Sequence, residues 1–206
     1  ITRLHHAVRA GTWDWRVATP IYALRGATLG LIGMGRIARA LVPKARAFGL
    51  HVIAHDPYLA EGQIRDAGAE PATLADLLRR ADYVSLHLPL TPATRHLLGR
   101  NELRLMKASA YLINTSRGPL IDGAALNQAL REGWIAGAAL DVLPQEPPDL
   151  ESPLLQLDNC LVTPHAAFYS EQSLVALRRK SAQEVTRVLA GQPPRHLVNR
   201  GVVPRG

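Results

Sequence analysis

The run Leu29-Gly-Leu-Ile-Gly33-Met34-Gly35-Arg36-Ile37-Ala38 constrains this chain more than any other stretch. Residues 29–33 are a short apolar run closed by glycine, the pattern of a buried strand. From Arg36 the apolar residues recur at helical spacing, at Ile37, Leu41, Ala45 and Phe48. A G-x-G-x-x-G/A pattern alone is a weak signal; between a strand and a helix it is a strong one. Gly33 makes the tight turn, and Gly35, lacking a Cβ, lets the backbone approach a pyrophosphate. The small Ala38 allows close packing of helix on strand. The helix N-terminus then presents unpaired N–H groups to the phosphates. Asp56 closes the next apolar run about 20 residues on, where an acid binds the ribose hydroxyls and repels a 2′-phosphate. Pro57 and Tyr58 follow it and no Arg does, so NAD is expected over NADP.

The rest of the chain repeats the alternation. Strands are expected over 29–33, 51–55, 83–88, 111–114, 135–140 and 160–163. Helices are expected over 36–48, 73–80, 123–132 and 170–190, the first kinked at Pro43. Thr73 is a candidate N-cap with Asp76 at the third helical position. This order predicts an α/β fold, a Rossmann doubly wound parallel sheet with helices on both faces. Residues 12–25 and 144–153 read as excursions, and 192–206 as a loose tail.

Composition narrows the partners. The chain of 206 residues has 24 basic and 17 acidic side chains, a net charge of +7. The charges are scattered through helical stretches without a recognition motif, so nucleic acid is not expected as a partner. No apolar run reaches the roughly 18 residues of a membrane span. Cys160 is the single cysteine, which excludes a disulfide within the chain and points to the cytoplasm. Residues 1–10 show no leader pattern. The chain begins at Ile1 inside what reads as a helix, as a piece of a longer protein would.

Five segments in order resemble the D-isomer-specific 2-hydroxyacid dehydrogenase family. They are 29–36, Asn114-Thr-Ser-Arg-Gly118, Ala139-Leu-Asp-Val142, Gln145-Glu-Pro147 and Thr163-Pro-His165. Within the family, 55–58 and 168–172 look most similar to the C-terminal-binding-protein-like branch. That branch has Trp where Phe168 stands, so substrate preferences tied to the Trp do not carry over. Formate dehydrogenases have Gln in the role of Glu146, which argues against that branch.

The resemblance implies a division of the chain. Residues 1–25 would be a linker helix and dimerisation arm carrying Trp13 and Trp15, and 26–169 the NAD-binding domain. Residues 170–191 would be a helix returning toward a substrate domain that the chain lacks. It also implies a homodimer acting on a small 2-oxoacid.

Residue roles follow. Arg117 presents a planar fork that suits a carboxylate, and by resemblance anchors the substrate. An imidazole can give and take back a proton near neutral pH, which suits His165 as the acid/base for an alkoxide. Glu146 orients His165 and favours the imidazolium, and Asp141 contacts the nicotinamide end. Met34, Arg36 and Ile37 meet the pyrophosphate, and Leu88, Pro89 and Thr94 line the adenosine side. Thr115, Ser116, Arg117, His165 and Phe168 complete the cofactor contacts. His87 is the other histidine placed near the cofactor.

Two other readings stay open. One is an NADH-sensing regulatory protein resembling co-repressors; the other is a fragment that binds cofactor without turnover.

Overall fold

The computed structural model describes residues 2–195 and 197; Ile1 and most of the tail expected over 192–206 lie outside them. Two units emerge, 1–164 and 165–206.

The first unit is built on a seven-stranded, all-parallel sheet. Its strands are β1 (Thr28–Ile32), β2 (His51–His55), β3 (Glu70–Pro71), β4 (Tyr83–Leu86), β5 (Tyr111–Asn114), β6 (Gly137–Leu140) and β7 (Cys160–Val162), in the order β3-β2-β1-β4-β5-β6-β7. Chain order reverses between β1 and β4. There the crossovers leave on opposite sides and a crevice opens beyond the strand ends.

Side-chain alternation along each strand makes two cores. Leu29, Leu31, Val52 and Ala54 pack with Ala38, Val42 and Ala45 of α2 (Arg36–Ala47) and Ile64 of α3 (Glu61–Asp66). Ile32, Ile53, Val84, Leu86 and Leu112 belong to the other core. They join residues of α4 (Leu74–Arg80), α5 (Arg100–Leu105) and α6 (Gly123–Arg131). Both faces are therefore helix-covered, as the alternation implies. At the amino ends of the strands, Asp82 accepts the Thr28 N–H at 2.8 Å and the Lys107 ammonium at 2.7 Å. Burial alone would raise its pKa; Lys107 and the Thr28 N–H outweigh that and hold it below the usual value.

The expected elements are present with shifted ends. The strand expected over 83–88 stops at Leu86, and the one expected from 135 begins at Gly137. α2 runs on through Pro43. Thr73 caps α4, its Oγ1 accepting the Asp76 N–H at 3.1 Å.

Among the α-helices and strands of the described residues, three short ones were not expected: α3, β3 and α5. Their start signals are incomplete. Ala60 and Gly99 stand at the N-caps and have no side-chain acceptor. Only the second half of a capping box operates, Gln63 accepting the Ala60 N–H and Glu102 the Gly99 N–H. β3 is a two-residue edge strand ending in Pro71.

At the start of the chain, α1 (Thr2–Arg9) precedes a segment that leaves Trp13 90% and Trp15 71% exposed. In the second unit, α7 (Glu171–Leu189) is capped by Ser170, which accepts the Ser173 N–H at 2.9 Å; it buries none of its residues. Among the described residues no helix is long and apolar enough to cross a membrane.

Candidate functional site

Strand register places the candidate residues. Ile32 pairs with His55 and with Leu86; Leu86 pairs with Asn114, Asn114 with Leu140, and Leu140 with Val162. The next residue of each strand therefore lies in one row: Gly33, Asp56, His87, Thr115, Asp141 and Thr163. This row runs along the carboxyl edge of the sheet, where open parallel sheets bind ligands.

The β1 end is a cradle. Gly33 has φ +89°, and a Cβ there would stand 2.6 Å from the His87 carbonyl oxygen. Its N–H donates to His55 O at 2.8 Å. Over Gly35 the space is open, with no protein atom within 4 Å of where a Cβ would be. Gly35 is also the N-cap of α2 and supplies no side-chain acceptor, while Arg36 and Ile37 are exposed. An uncapped helix N-terminus beside an open glycine fits a pyrophosphate. Met34 is buried, so its side chain faces the core.

Asp56 holds that turn. Its Oδ2 accepts the Met34 N–H at 2.9 Å and its Oδ1 the Tyr58 N–H at 3.0 Å. Each carboxylate oxygen keeps a second lone pair for a ribose hydroxyl.

Beyond β4, the His87 N–H donates to Ile32 O at 2.8 Å, and the ring hydrogen-bonds Ser85 through Nε2 at 2.9 Å. Burial lowers its pKa. Leu88 is half-buried and Pro89 exposed. The Thr94 hydroxyl donates to Pro89 O at 2.8 Å and accepts the Thr91 N–H, so it shapes this loop from within.

Beyond β5, the fully buried Asn114 organises the turn, a role to which sequence reasoning gave no weight. Its Nδ2 donates to Arg117 O at 2.9 Å and its Oδ1 accepts the Ser116 N–H at 3.0 Å. An Asn ending a strand before a Ser/Thr turn is the signal that could have found it. Ser116 Oγ donates to Leu86 O, stitching the β4 and β5 ends together. Arg117 and Thr115 are exposed, and Arg117 Nη1 donates to Ser116 O at 2.6 Å. Behind Arg117, a Cβ on Gly118 would stand 2.1 Å from the Leu143 carbonyl carbon, so the next loop presses directly on this one.

Asp141 is buried, 6% exposed, and accepts from Thr163 Oγ1 at 2.5 Å; its N–H donates to Asn114 O. Glu146 is exposed, with Oε1 accepting the Leu143 N–H at 3.0 Å.

His165 and Phe168 belong to the second unit. His165 sits at φ +51°, a left-handed conformation uncommon for a side-chain-bearing residue and enriched at functional sites. Its ring meets Phe168 edge-on, with centroids 6.4 Å apart.

Comparison with known proteins accords with this geometry. Residues 1–167 match the family described as D-isomer specific 2-hydroxyacid dehydrogenase, NAD binding domain. The glyoxylate reductase of Aeropyrum pernix is 42% identical over 210 residues, covering 98% of this chain and 62% of that protein. The D-3-phosphoglycerate dehydrogenase of Methanocaldococcus jannaschii is 42% identical over 200 residues, covering 97% of this chain and 38% of that protein. The NAD-complexed D-isomer specific 2-hydroxyacid dehydrogenase of Lactobacillus delbrueckii ssp. bulgaricus superposes with a TM-score of 0.84 at 32% identity. That match covers 96% of this chain and 63% of the solved one. The chain thus spans less than two thirds of the length of each of these relatives.

Proposed function

The chain belongs to the D-isomer-specific 2-hydroxyacid dehydrogenase family, whose NAD-binding domain it carries, and from that premise we propose that the whole protein interconverts a 2-oxoacid and a D-2-hydroxyacid. The observation that carries this reading is the row of strand ends, which sets Gly33, Asp56, the Arg117 turn and Asp141 along one edge. Relatives named for glyoxylate reduction support a small 2-oxoacid as substrate.

Bound NADH would supply the hydride, two electrons and one hydrogen, to the carbonyl carbon. Arg117 pairs its guanidinium with the substrate carboxylate and polarises the carbonyl. His165 gives a proton to the carbonyl oxygen as the C–H bond forms, and takes it back in the oxidation. Glu146 orients His165. Asp141 meets the nicotinamide end, Thr115 and Ser116 its ribose, and Leu88, Pro89 and the Thr94-braced loop the adenosine side. Phe168 closes on the cofactor beside His165.

Residues 1–25 act as linker helix and dimerisation arm, 26–169 as the cofactor domain, and 170–191 as a helix returning to a substrate domain. The exposure of Trp13 and Trp15 supports a homodimer.

The test is His165→Ala in the complete protein, assayed with glyoxylate, pyruvate and hydroxypyruvate. Turnover should be lost while NADH binding is kept; retained turnover would remove His165 from the mechanism.

A further inference from the structure

Register sets Thr163 beside Asp141. Leu140 pairs with Val162, so the next residues, Asp141 beyond β6 and Thr163 beyond β7, are neighbours at the carboxyl edge. The Thr163 N–H donates to Leu140 O at 3.0 Å. On the other side, the Asp141 N–H donates to Asn114 O at 2.9 Å. The end of β6 is thus fastened to both neighbouring strands.

Those backbone bonds do not settle the carboxylate. The last torsion of an Asp side chain is broad, so its plane turns easily unless a partner takes one of its oxygens. Thr163 takes one, its hydroxyl donating to Asp141 Oδ1 at 2.5 Å. An ionised carboxylate only accepts, so the hydroxyl is the donor. Threonine is stiff at its first torsion, which makes it a firm post for that donor. Asp141 is buried, whereas Thr163 is exposed, so a change at Thr163 alters the acid's partner without opening the core.

We propose that Thr163 is a positioning residue for the cofactor: by holding Oδ1, it turns the Asp141 carboxylate to accept the N–H of the nicotinamide carboxamide. This rests on the reading that Asp141 meets the nicotinamide end. Such a hydrogen bond is directional and weakens steeply when donor and acceptor are misaligned. Thr163 acts here through Asp141, not on the reacting atoms.

The probes are NAD, acetylpyridine adenine dinucleotide and ADP-ribose, each titrated calorimetrically into the chain. The second carries a methyl group where the carboxamide has its amino group, so it lacks the donor. The third has no nicotinamide. The wild-type chain should bind NAD about tenfold more tightly than the acetylpyridine analogue.

Thr163→Val keeps the branched shape and removes the hydroxyl. It should weaken NAD until the two dinucleotides bind within about threefold of each other. ADP-ribose affinity should not change, which also reports a folded variant. Thr163→Ser, which keeps the donor, should retain the wild-type preference. Full preference surviving in Thr163→Val would overturn the proposal and leave the Asp141 reading standing. An equal loss for all three ligands would also overturn it, because a role in the fold alone does that. Equal affinity of the wild-type chain for both dinucleotides would overturn it together with the Asp141 reading. None of these readouts involves turnover, so they stand or fall apart from the proposed reaction.

Discussion

Asp56 Oδ2 accepts the backbone N–H of Met34 at 2.9 Å, fastening the acid at the end of β2 to the glycine turn at the end of β1. In the proposed reading, the residue that meets the ribose therefore also sets the turn that receives the pyrophosphate.

Asp56→Ala should therefore weaken NADH binding by roughly tenfold, ~1.5 kcal/mol for a charge-assisted hydrogen bond. It should also narrow the preference for NADH over NADPH, since no negative charge then opposes a 2′-phosphate. Fluorescence titration with both cofactors measures this. Unchanged discrimination would take Asp56 out of cofactor selection.

Gly118→Ala should be costly. Its methyl would fall 2.1–2.4 Å from backbone atoms of Leu143 and Pro144, which cannot swing aside as a side-chain tip can. Overpacking of this kind costs about 1–3 kcal/mol, and a backbone neighbour puts the expectation at the upper end. Urea unfolding reads the loss; wild-type stability in the variant would contradict the close approach.

Asp82 predicts a pH dependence. Its folded pKa is lowered, so its contribution to stability is complete above the usual carboxylate pKa, about 4. That contribution is lost as pH falls through the folded value. Asp82→Asn should cost on the order of 1 kcal/mol at pH 7, modest because both partners are about a third exposed. The gap between variant and wild type should then close below pH 4. Parallel curves of melting temperature against pH would show that another group titrates in that window.

Trp13 and Trp15 give a prediction about assembly. Replacing both with Ser should shift the complete protein from dimer toward monomer in sedimentation, with the melting temperature of isolated monomer unchanged. Each ring is mostly in solvent within one chain, so nothing in its own fold depends on it. A dimer unaffected by the double change would end the arm's proposed role.

Local chemistry made much of this legible beforehand. Glycines at 33 and 35, an acid closing the second strand, and apolar runs alternating with helical spacing each act over a few residues, and each led to the right element. The elements that escaped were those whose signals are not local. α5 begins at Gly99, which has no capping side chain, and relies on Glu102 reaching back. β3 is a strand only because β2 offers Ile53 and Ala54 as partners. Asn114 looks like any buried Asn until its two turn hydrogen bonds are seen.

The sequence by itself determined the fold class, the cofactor turn and the types of side chain available for chemistry, because short-range sterics and hydrogen bonding fix those. Tertiary structure alone decided that Gly33, Asp56, Thr115 and Asp141, far apart in the chain, share one edge. Strand register sets that row, and it depends on long-range pairing. Tertiary structure also decided that Leu143 bears on Gly118, because packing between distant segments has no local signature.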